Sequence, residues 1–208
     1  MNIDPAGWPF VGAALILAGG AAWVVGAPAA LGFVALALVL LMFFRDPDRR
    51  VPSDPAAIVA PADGRVLVAG PAQPGVPPPG QWLQISIFLS PLDVHVNRVP
   101  ASGRVTNVTY RPGRFLAAYR PEAAASNERS EVWIDHDGQP IVFRQVVGVL
   151  ARRVVCRLQP GREVAAGERF GVMKFGSRMD VFLPPAAVLC VAVGDHVRGG
   201  ETVIARLS

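Results

Sequence analysis

The feature that most constrains the fold is a long N-terminal run without charge. From Pro5 to Phe44 no side chain is charged, and Gly26-Ala27-Pro28 divides the run into residues 10–25 and 29–44. As a helix, each half is about 24 Å long at a rise of about 1.5 Å per residue, slightly short of the roughly 30 Å hydrocarbon core of a bilayer. Residues 1–44 are therefore predicted to form a hydrophobic helical hairpin that spans a membrane or lies shallowly in it.

Two other interpretations of this run are weaker. A secretory signal peptide would have a basic residue before a shorter apolar stretch, and no Lys or Arg precedes this run. A buried core hairpin would need a larger protein around it than this chain supplies. Arg45, Arg49 and Arg50 follow the run, which favours a cytoplasmic location for that end and contact with anionic headgroups. We therefore expect a cell-membrane protein whose remaining residues, 45–208, form a cytoplasmic domain.

Charge and cysteine usage narrow the function classes. The net charge is +4, and Lys174 is the only lysine. The arginines are scattered and no motif of stacking aromatics accompanies them, so a membrane surface is a better partner than nucleic acid. Cys156 and Cys190 lack C-x-x-C spacing and are predicted to be buried, reduced thiols. No pattern of metal ligands is recognisable.

The remainder of the chain has the pattern of a β domain. After Val51, short apolar runs alternate with Gly, Pro and Asp. The predicted strands are residues 64–69, 83–90, 103–110, 131–135, 139–147, 154–158, 180–183 and 202–206. The proline-rich residues 71–80 predict a surface loop, and residues 114–120 a short helix or a mobile loop.

A short pattern occurs twice in this part of the chain. Residues 161–168 and 194–201 share the form G-x-x-V-x-x-G-E, and together with residues 60–66 they resemble the turns of a lipoyl-type domain. The predicted fold class is therefore mainly β, a barrel-sandwich-like β domain preceded by the hydrophobic helical hairpin.

Five phrases in a fixed order carry the chemistry. They are F-F-R-D-P at 43–47, P-A-D-G at 61–64, L-S-P-L-D-V-H-V-N-R-V-P at 89–100, N-E-R at 127–129 and F-G-S at 175–177. A Gly-Ser pair by itself is usually only a turn. The ordered set resembles the phosphatidylserine decarboxylase family in its short form, over nearly the whole chain from Phe43 onward.

This resemblance implies a proenzyme that cuts itself between Gly176 and Ser177. The products would be a β chain of residues 1–176 and an α chain of residues 177–208, whose Ser177 becomes a pyruvoyl group. That covalent group would form a Schiff base with phosphatidylserine and accept electrons as carbon dioxide leaves, giving phosphatidylethanolamine without an external cofactor. The implied partners are the phospholipid substrate, the membrane and the two chains of one precursor.

The resemblance also implies roles for two further residues. His95 matches a general base and Asp63 an orienting carboxylate in a relay. Longer family members carry D-Y-H-R-V-H, whereas here the final position is Arg98, so His95 is the remaining candidate for the base. His136 and His196 lie in turn-like sequences and are predicted to be exposed.

Other functions remain compatible with the sequence. Lys174 in V-M-K-F could carry a lipoyl or biotinyl group, and a membrane-tethered adaptor domain would need no catalysis. Within the enzyme interpretation, an ether-linked serine phospholipid is an alternative substrate, and a homo-oligomer is also compatible with the sequence.

Overall fold

A computed structural model of the chain describes residues 2–149, 154–173 and 177–207. The predictions that concern Lys174 and Gly176 therefore lie outside the described residues. The chain forms two compact units, residues 1–48 and 49–208. Strand residues make up 39% and helical residues 21%, and the main sheet curls into a half-barrel. The predicted mainly β fold class is confirmed.

The N-terminal unit contains the predicted pair of apolar helices. A 3₁₀ turn at Pro5–Gly7 leads into helix α1, Trp8–Val24, and helix α2 is Ala27–Phe43. Between them Gly26 has φ of 109°, a conformation that glycine adopts without a steric penalty. Strands β1, Asn2–Ile3, and β2, Arg45–Asp46, pair at the open end.

The outer faces of this hairpin are apolar. The two helices contact each other through Val11, Ala14 and Ala37, whereas Trp23 is 89% exposed and Ile16 77% exposed. Pro5–Val24 is long and apolar enough to cross a membrane by length and composition, and Ala27–Phe43 is shorter.

The second unit consists of antiparallel sheets. Its elements are β3 Ala57–Val59, β4 Gly64–Pro71, β5 Leu83–Leu89, β6 Val96–Arg98, β7 Gly103–Arg111, α3 Ala123–Ser126, β8 Arg129–His136, β9 Gln139–Val146, β10 Val154–Cys156, β11 Glu163–Val164, β12 Arg169–Met173, β13 Ser177–Leu183, β14 Val188–Leu189, β15 His196–Val197 and β16 Val203–Arg206. An eight-stranded sheet has the order β11-β7-β8-β9-β13-β5-β4-β15. Two three-stranded sheets, β10-β12-β6 and β14-β16-β3, accompany it.

All eight predicted strands are present, and the strands that were missed are short. The sequence did not predict β1, β2, β3, β6, β11, β12, β14 and β15, each of which has two to five residues. A run this short shows too little of a repeating pattern to be told from a turn or a loop. Residues 71–80 connect β4 and β5 largely as a loop, as predicted. Residues 114–120 contain no helix, and the short helix lies at Ala123–Ser126 instead.

The large sheet has an internal two-fold repeat. P-A-D-G-R-V at residues 61–66 and P-A-S-G-R-V at residues 100–105 each begin a long strand. Gly64 pairs with Val197 and Gly103 with Val164, so the two G-x-x-V-x-x-G-E segments form the two edges of the sheet. A Cβ on Gly64 would lie 2.1 Å from the Phe88 carbonyl oxygen, and on Gly103 2.3 Å from that of Asp135.

The core lies on one face of this sheet. Val132, Phe143 and Val181 are paired neighbours on β8, β9 and β13 and are almost fully buried. The ring of Phe143 packs edge-on against Phe170 of β12, with centroids 5.1 Å apart. This contact joins the large sheet to the sheet that contains β6.

Two predictions of exposure and burial were wrong. His136 is 7% exposed because it ends β8, where its Nδ1 lies 2.7 Å from the Ser102 carbonyl oxygen and donates to it. Only Asp137 and Gly138 make the turn. Cys190 is exposed because it lies just beyond the edge strand β14, and Cys156 is half-buried. His196 is exposed, as predicted.

Candidate active site

Ser177 is a buried residue whose hydroxyl has no hydrogen-bond partner in the part of the chain that the structure describes. It is the first residue of β13, pairs with Leu89 at the end of β5 and has no exposed surface. Among the described residues its Oγ has no hydrogen-bond partner. Burying a hydroxyl without a partner costs about 1–3 kcal/mol, so this serine is not explained by stability.

One segment of the chain holds both sides of residues 174–176. Upstream, the Met173 amide donates to the His95 carbonyl oxygen over 3.3 Å. Downstream, Ser177 pairs with Leu89. The segment from Leu89 to Arg98, which the sequence singled out as a motif, therefore contacts the chain at Met173, four residues before Ser177, and at Ser177 itself.

The imidazole of His95 is held in one orientation. The side chain is fully buried, and Nδ1 lies 2.8 Å from the Asp93 carbonyl oxygen. A carbonyl oxygen only accepts, so we infer that Nδ1 carries the hydrogen and Nε2 bears the lone pair of the neutral ring. The loop itself is closed by Ser90, whose amide donates to Asp93 Oδ2 over 2.7 Å.

Asp63 belongs to an ion-pair cluster. Arg49 Nη2 donates to its two carboxylate oxygens at 2.9 and 2.8 Å, and the Gly199 amide donates to Oδ1 at 2.8 Å. Arg49 Nη1 also lies 3.5 Å from Glu201 Oε2. The predicted relay contact with His95 is not among the hydrogen bonds of Asp63 to described residues.

Contacts in the same cluster lower the pKa of the Glu201 carboxyl. The Arg50 amide donates to Oε1 over 3.0 Å, and this bond is the largest cause of a lowered pKa for the carboxyl. The charges of Arg49 and Arg198 lower that pKa further, and partial burial opposes them.

Two amide side chains near Ser177 were not singled out by the sequence. Gln145 Nε2 donates to Asn97 Oδ1 over 2.8 Å. Asn97 pairs with Gly171 on β12, and Gln145 with Met179 on β13, two residues beyond Ser177. Both side chains are fully buried, and Asn97 Nδ2 and Gln145 Oε1 have no partner among the described residues. Asn97 lies in a motif, but Gln145 had no signal other than an amide in an apolar strand.

Arg98, at the position where longer family members have His, is also buried. Its Nη1 donates to the Gly167 carbonyl oxygen over 3.0 Å, and its amide donates to the Pro61 carbonyl oxygen over 2.8 Å. A guanidinium stays protonated in proteins and cannot act as a base. Arg98 therefore cannot take the place of the missing histidine.

Comparison with known proteins identifies this arrangement. The sequence model of a family described as phosphatidylserine decarboxylase matches residues 36–205, most of the chain. The chain belongs to the phosphatidylserine decarboxylase family. The resemblance drawn from the ordered motifs is confirmed, and as a member of this family the chain is a decarboxylase.

Curated relatives support the same assignment along nearly the whole length. A protein of Chlorobium chlorochromatii named phosphatidylserine decarboxylase proenzyme is 48% identical over 85% of this chain and 83% of its own length. Proteins with the same name from Nitrosomonas europaea and Salinibacter ruber are 42% and 47% identical, over 96% and 92% of this chain and 92% and 88% of their own. The decarboxylase motifs therefore lie within a similarity that covers both sides of Ser177.

Proposed function

We propose that this decarboxylase cuts itself between Gly176 and Ser177 and then converts phosphatidylserine to phosphatidylethanolamine with a pyruvoyl group made from Ser177. One observation carries the proposal. The Ser177 hydroxyl is buried and has no partner among the described residues, next to a segment held on both sides by the His95 motif. A nucleophile kept out of structural hydrogen bonds is available for reaction.

The cleavage requires three events at Ser177. First, Oγ attacks the Gly176 carbonyl carbon, the peptide C–N bond breaks and an ester links the two residues. Second, a base removes the α-proton of residue 177, and the Gly176 carboxylate leaves from Cβ to give dehydroalanine. Third, water hydrolyses the dehydroalanine, and ammonia leaves as the α chain acquires its pyruvoyl terminus. Each event moves a proton, so a base beside Ser177 is needed.

His95 is the proposed base. With Nδ1–H donated to Asp93, the lone pair of the neutral ring is on Nε2, and this nitrogen is the proposed acceptor of a proton from Oγ or from Cα. The backbone contact of His95 with Met173 ties its motif to the chain four residues before Ser177. Because the imidazole is completely buried, solvent does not compete for this proton.

Asp63 and Asn97 are proposed to support the reaction. Asp63 keeps the orienting role, exerted through Arg49 and Gly199 rather than through a direct bond to the imidazole. Asn97 Nδ2 is a buried donor without a partner among the described residues, and a donor of this kind stabilises an oxyanion when Oγ attacks. In the second half of the repeat Ser102 stands where Asp63 stands in the first, so the fold itself does not demand a carboxylate.

The substrate is proposed to reach this site from a membrane that holds residues 1–44. Support comes from the exposed apolar faces of α1 and α2 and from the run of arginines that favours the cytoplasmic side. Phe115 is 40% exposed. The backbone of the next residue, Leu116, is held by two hydrogen bonds to the Asn127 side chain. This loop is proposed to touch the membrane interface. The pyruvoyl carbonyl supplies the electrophile that binds the substrate amine and accepts electrons during decarboxylation.

Intact mass measurement of the purified, denatured protein tests the proposal. We expect a fragment of residues 177–208 whose N-terminus has the pyruvoyl mass and resists Edman degradation. Ser177→Ala should remain a single inactive chain, and His95→Ala should be cut at least about 100-fold more slowly, as expected for the loss of a general base.

Specific outcomes would contradict the proposal. A full-length wild-type chain, with or without an adduct on Lys174, would favour a carrier or adaptor domain. Normal cutting of His95→Ala would remove His95 from maturation. Activity on an ether-linked serine phospholipid but not on the ester would change the substrate while leaving the maturation chemistry unaffected.

A further inference from the structure

The face of the large sheet that points away from Ser177 contains a pocket lined by arginines. The pocket has a volume of about 310 Å³, near the lower end of the range of roughly 300–1,000 Å³ for small-ligand sites. Its floor is formed by β7, β8 and β9, and residues 75–79 of the proline-rich loop form a wall. Three arginines, Arg111, Arg129 and Arg144, line it together with a single carboxylate, Glu131.

The strand register separates this pocket from the active site. Directly paired residues of antiparallel strands share a face, and neighbours along a strand point to opposite faces. Arg111 pairs with Arg129, and the same row continues through Val146 to Arg178. Ser177 adjoins Arg178 along β13 and therefore points to the other side of the sheet, where the core lies.

The one carboxylate of the pocket is already used. Glu131 Oε2 accepts from Arg144 Nε at 2.5 Å, and its Oε1 accepts from the Trp133 indole at 2.8 Å. Arg144 also donates to the Val76 carbonyl oxygen, which ties the loop to the sheet, and its guanidinium lies 4.7 Å from the centroid of the Phe182 ring. The Arg144–Glu131 pair is thus a rigid and nearly neutral part of the lining.

The other two arginines leave an excess of positive charge. Arg111 is exposed and forms no ion pair with a described residue. Arg129 is half-buried, donates only to the carbonyl oxygens of Ala125 and Asn127, and its Nε is buried without a partner among the described residues. The pKa of Arg129 is lowered mainly by burial and then by the charges of Arg144 and Arg111. The charges of Glu131 and Asp180 oppose this shift. Two guanidinium groups at a concave site, neither of which has an ion-pair partner among the described residues, favour an anion.

We propose that this pocket is a binding site for a phosphate group, separate from the decarboxylation site. A tetrahedral oxyanion offers acceptor oxygens to both guanidinium groups at once, whereas a carboxylate has only two oxygens and matches a single guanidinium. Free inorganic phosphate and the phosphodiester of a lipid headgroup share this chemistry. The proposal does not depend on Ser177 or on self-cleavage.

Calorimetric titration of the purified full-length protein tests the site with two probes. Inorganic phosphate represents the free anion, and glycerophosphocholine represents a headgroup phosphodiester that has no amine to react with a pyruvoyl group. Arg111→Gln should weaken binding by about fivefold, as expected for the loss of an ion pair made by an exposed side chain. Arg104→Gln makes the same charge change on β7 outside the pocket and should bind like the wild type.

Protection of arginines from chemical modification tests the site on the wild-type protein, so it does not require a variant to fold. Phosphate should protect Arg111 and Arg129 of the wild-type protein from phenylglyoxal and should leave Arg104 reactive, as mapped by peptide mass. Tighter binding of the diester would assign the site to a lipid headgroup, and tighter binding of inorganic phosphate to the free anion. Absence of binding at millimolar concentration, equal affinity of Arg111→Gln and Arg104→Gln, or equal protection of all three arginines would overturn the proposal.

Discussion

Replacing Asp63 by Ser separates a role in maturation from a role in folding. Ser102 occupies the equivalent position in the second half of the sheet repeat, so a serine fits the local backbone. The substitution removes the carboxylate from Arg49, whose side chain is 7% exposed, whereas that of Asp63 is 18% exposed. Glu201 remains 3.5 Å from Arg49 as a second counter-charge.

The magnitude follows from this geometry. Breaking a fully buried ion pair costs roughly 3–5 kcal/mol, and an exposed pair contributes about 0–1 kcal/mol. Partial exposure of Asp63 and the remaining charge of Glu201 place the expected loss at about 2 kcal/mol. For a chain of this size, that loss lowers the melting temperature by roughly 4–8 °C.

Two measurements on the same variant give the answer. Thermal melting should show the loss of stability, and a gel time course of newly made protein, well below the melting temperature, should show cutting slowed by about tenfold. This figure is smaller than the factor of about 100 or more expected for the base itself, because Asp63 acts through neighbours. Ser102→Ala, the control in the second half of the repeat, should be cut at the wild-type rate.

Either of two results would refute the reasoning. Normal cutting of Asp63→Ser at a lowered melting temperature would make the carboxylate purely structural. An unchanged melting temperature would show that the pair with Arg49 contributes nothing to stability.

Two further predictions concern stability. The lowered pKa of Glu201 means that its ionised form stabilises the fold above the ordinary value of 4.5, and that this contribution is lost as the pH falls through the folded-state pKa. Melts at pH 7 and pH 3 should therefore show Glu201→Gln less stable than wild type at pH 7, with a smaller gap at pH 3; an equal gap at both would contradict the shift. Gly103→Ala, whose Cβ would lie 2.3 Å from the Asp135 carbonyl oxygen, should lose at least about 3 kcal/mol in urea denaturation. Gly138→Ala has φ of +82° but open space and should lose only about 1 kcal/mol; similar losses would show that the backbone contact is unimportant.

Several features could be predicted from local sequence because local physics decides them. An uncharged run divided by glycine and proline predicts two apolar helices, and the structure has both, with the break at Val25 and Gly26 and with Pro28 in the first turn of the second helix. Longer apolar runs bounded by turn residues were predicted as strands, whereas the missed strands, such as β3 and β6, are only a few residues long. The ordered motifs around His95 and Ser177 were sufficient to identify the family.

The sequence also contained a repeat that was only partly recognised. P-A-D-G-R-V was related to the G-x-x-V-x-x-G-E segments, but its second copy at residues 100–105 became meaningful only when Gly103 was seen to pair with Val164. That pairing joins residues far apart in the chain. Because Gly64 and Gly103 make equivalent pairings, Asp63 and Ser102 occupy equivalent positions in the two halves of the sheet and can be compared directly.

The tertiary structure decided which side chains meet. Asp63 lies with Arg49 and Gly199, and Gln145 reaches Asn97 across two sheets. Both arrangements depend on strand register, in which a shift of one residue moves every side chain to the opposite face. Local sequence determines that a strand forms and which of its residues alternate. Only the packed sheet determines that Ser177 faces the core while the arginines of the neighbouring row line a pocket on the other side, because pairing between distant strands is set by the whole fold.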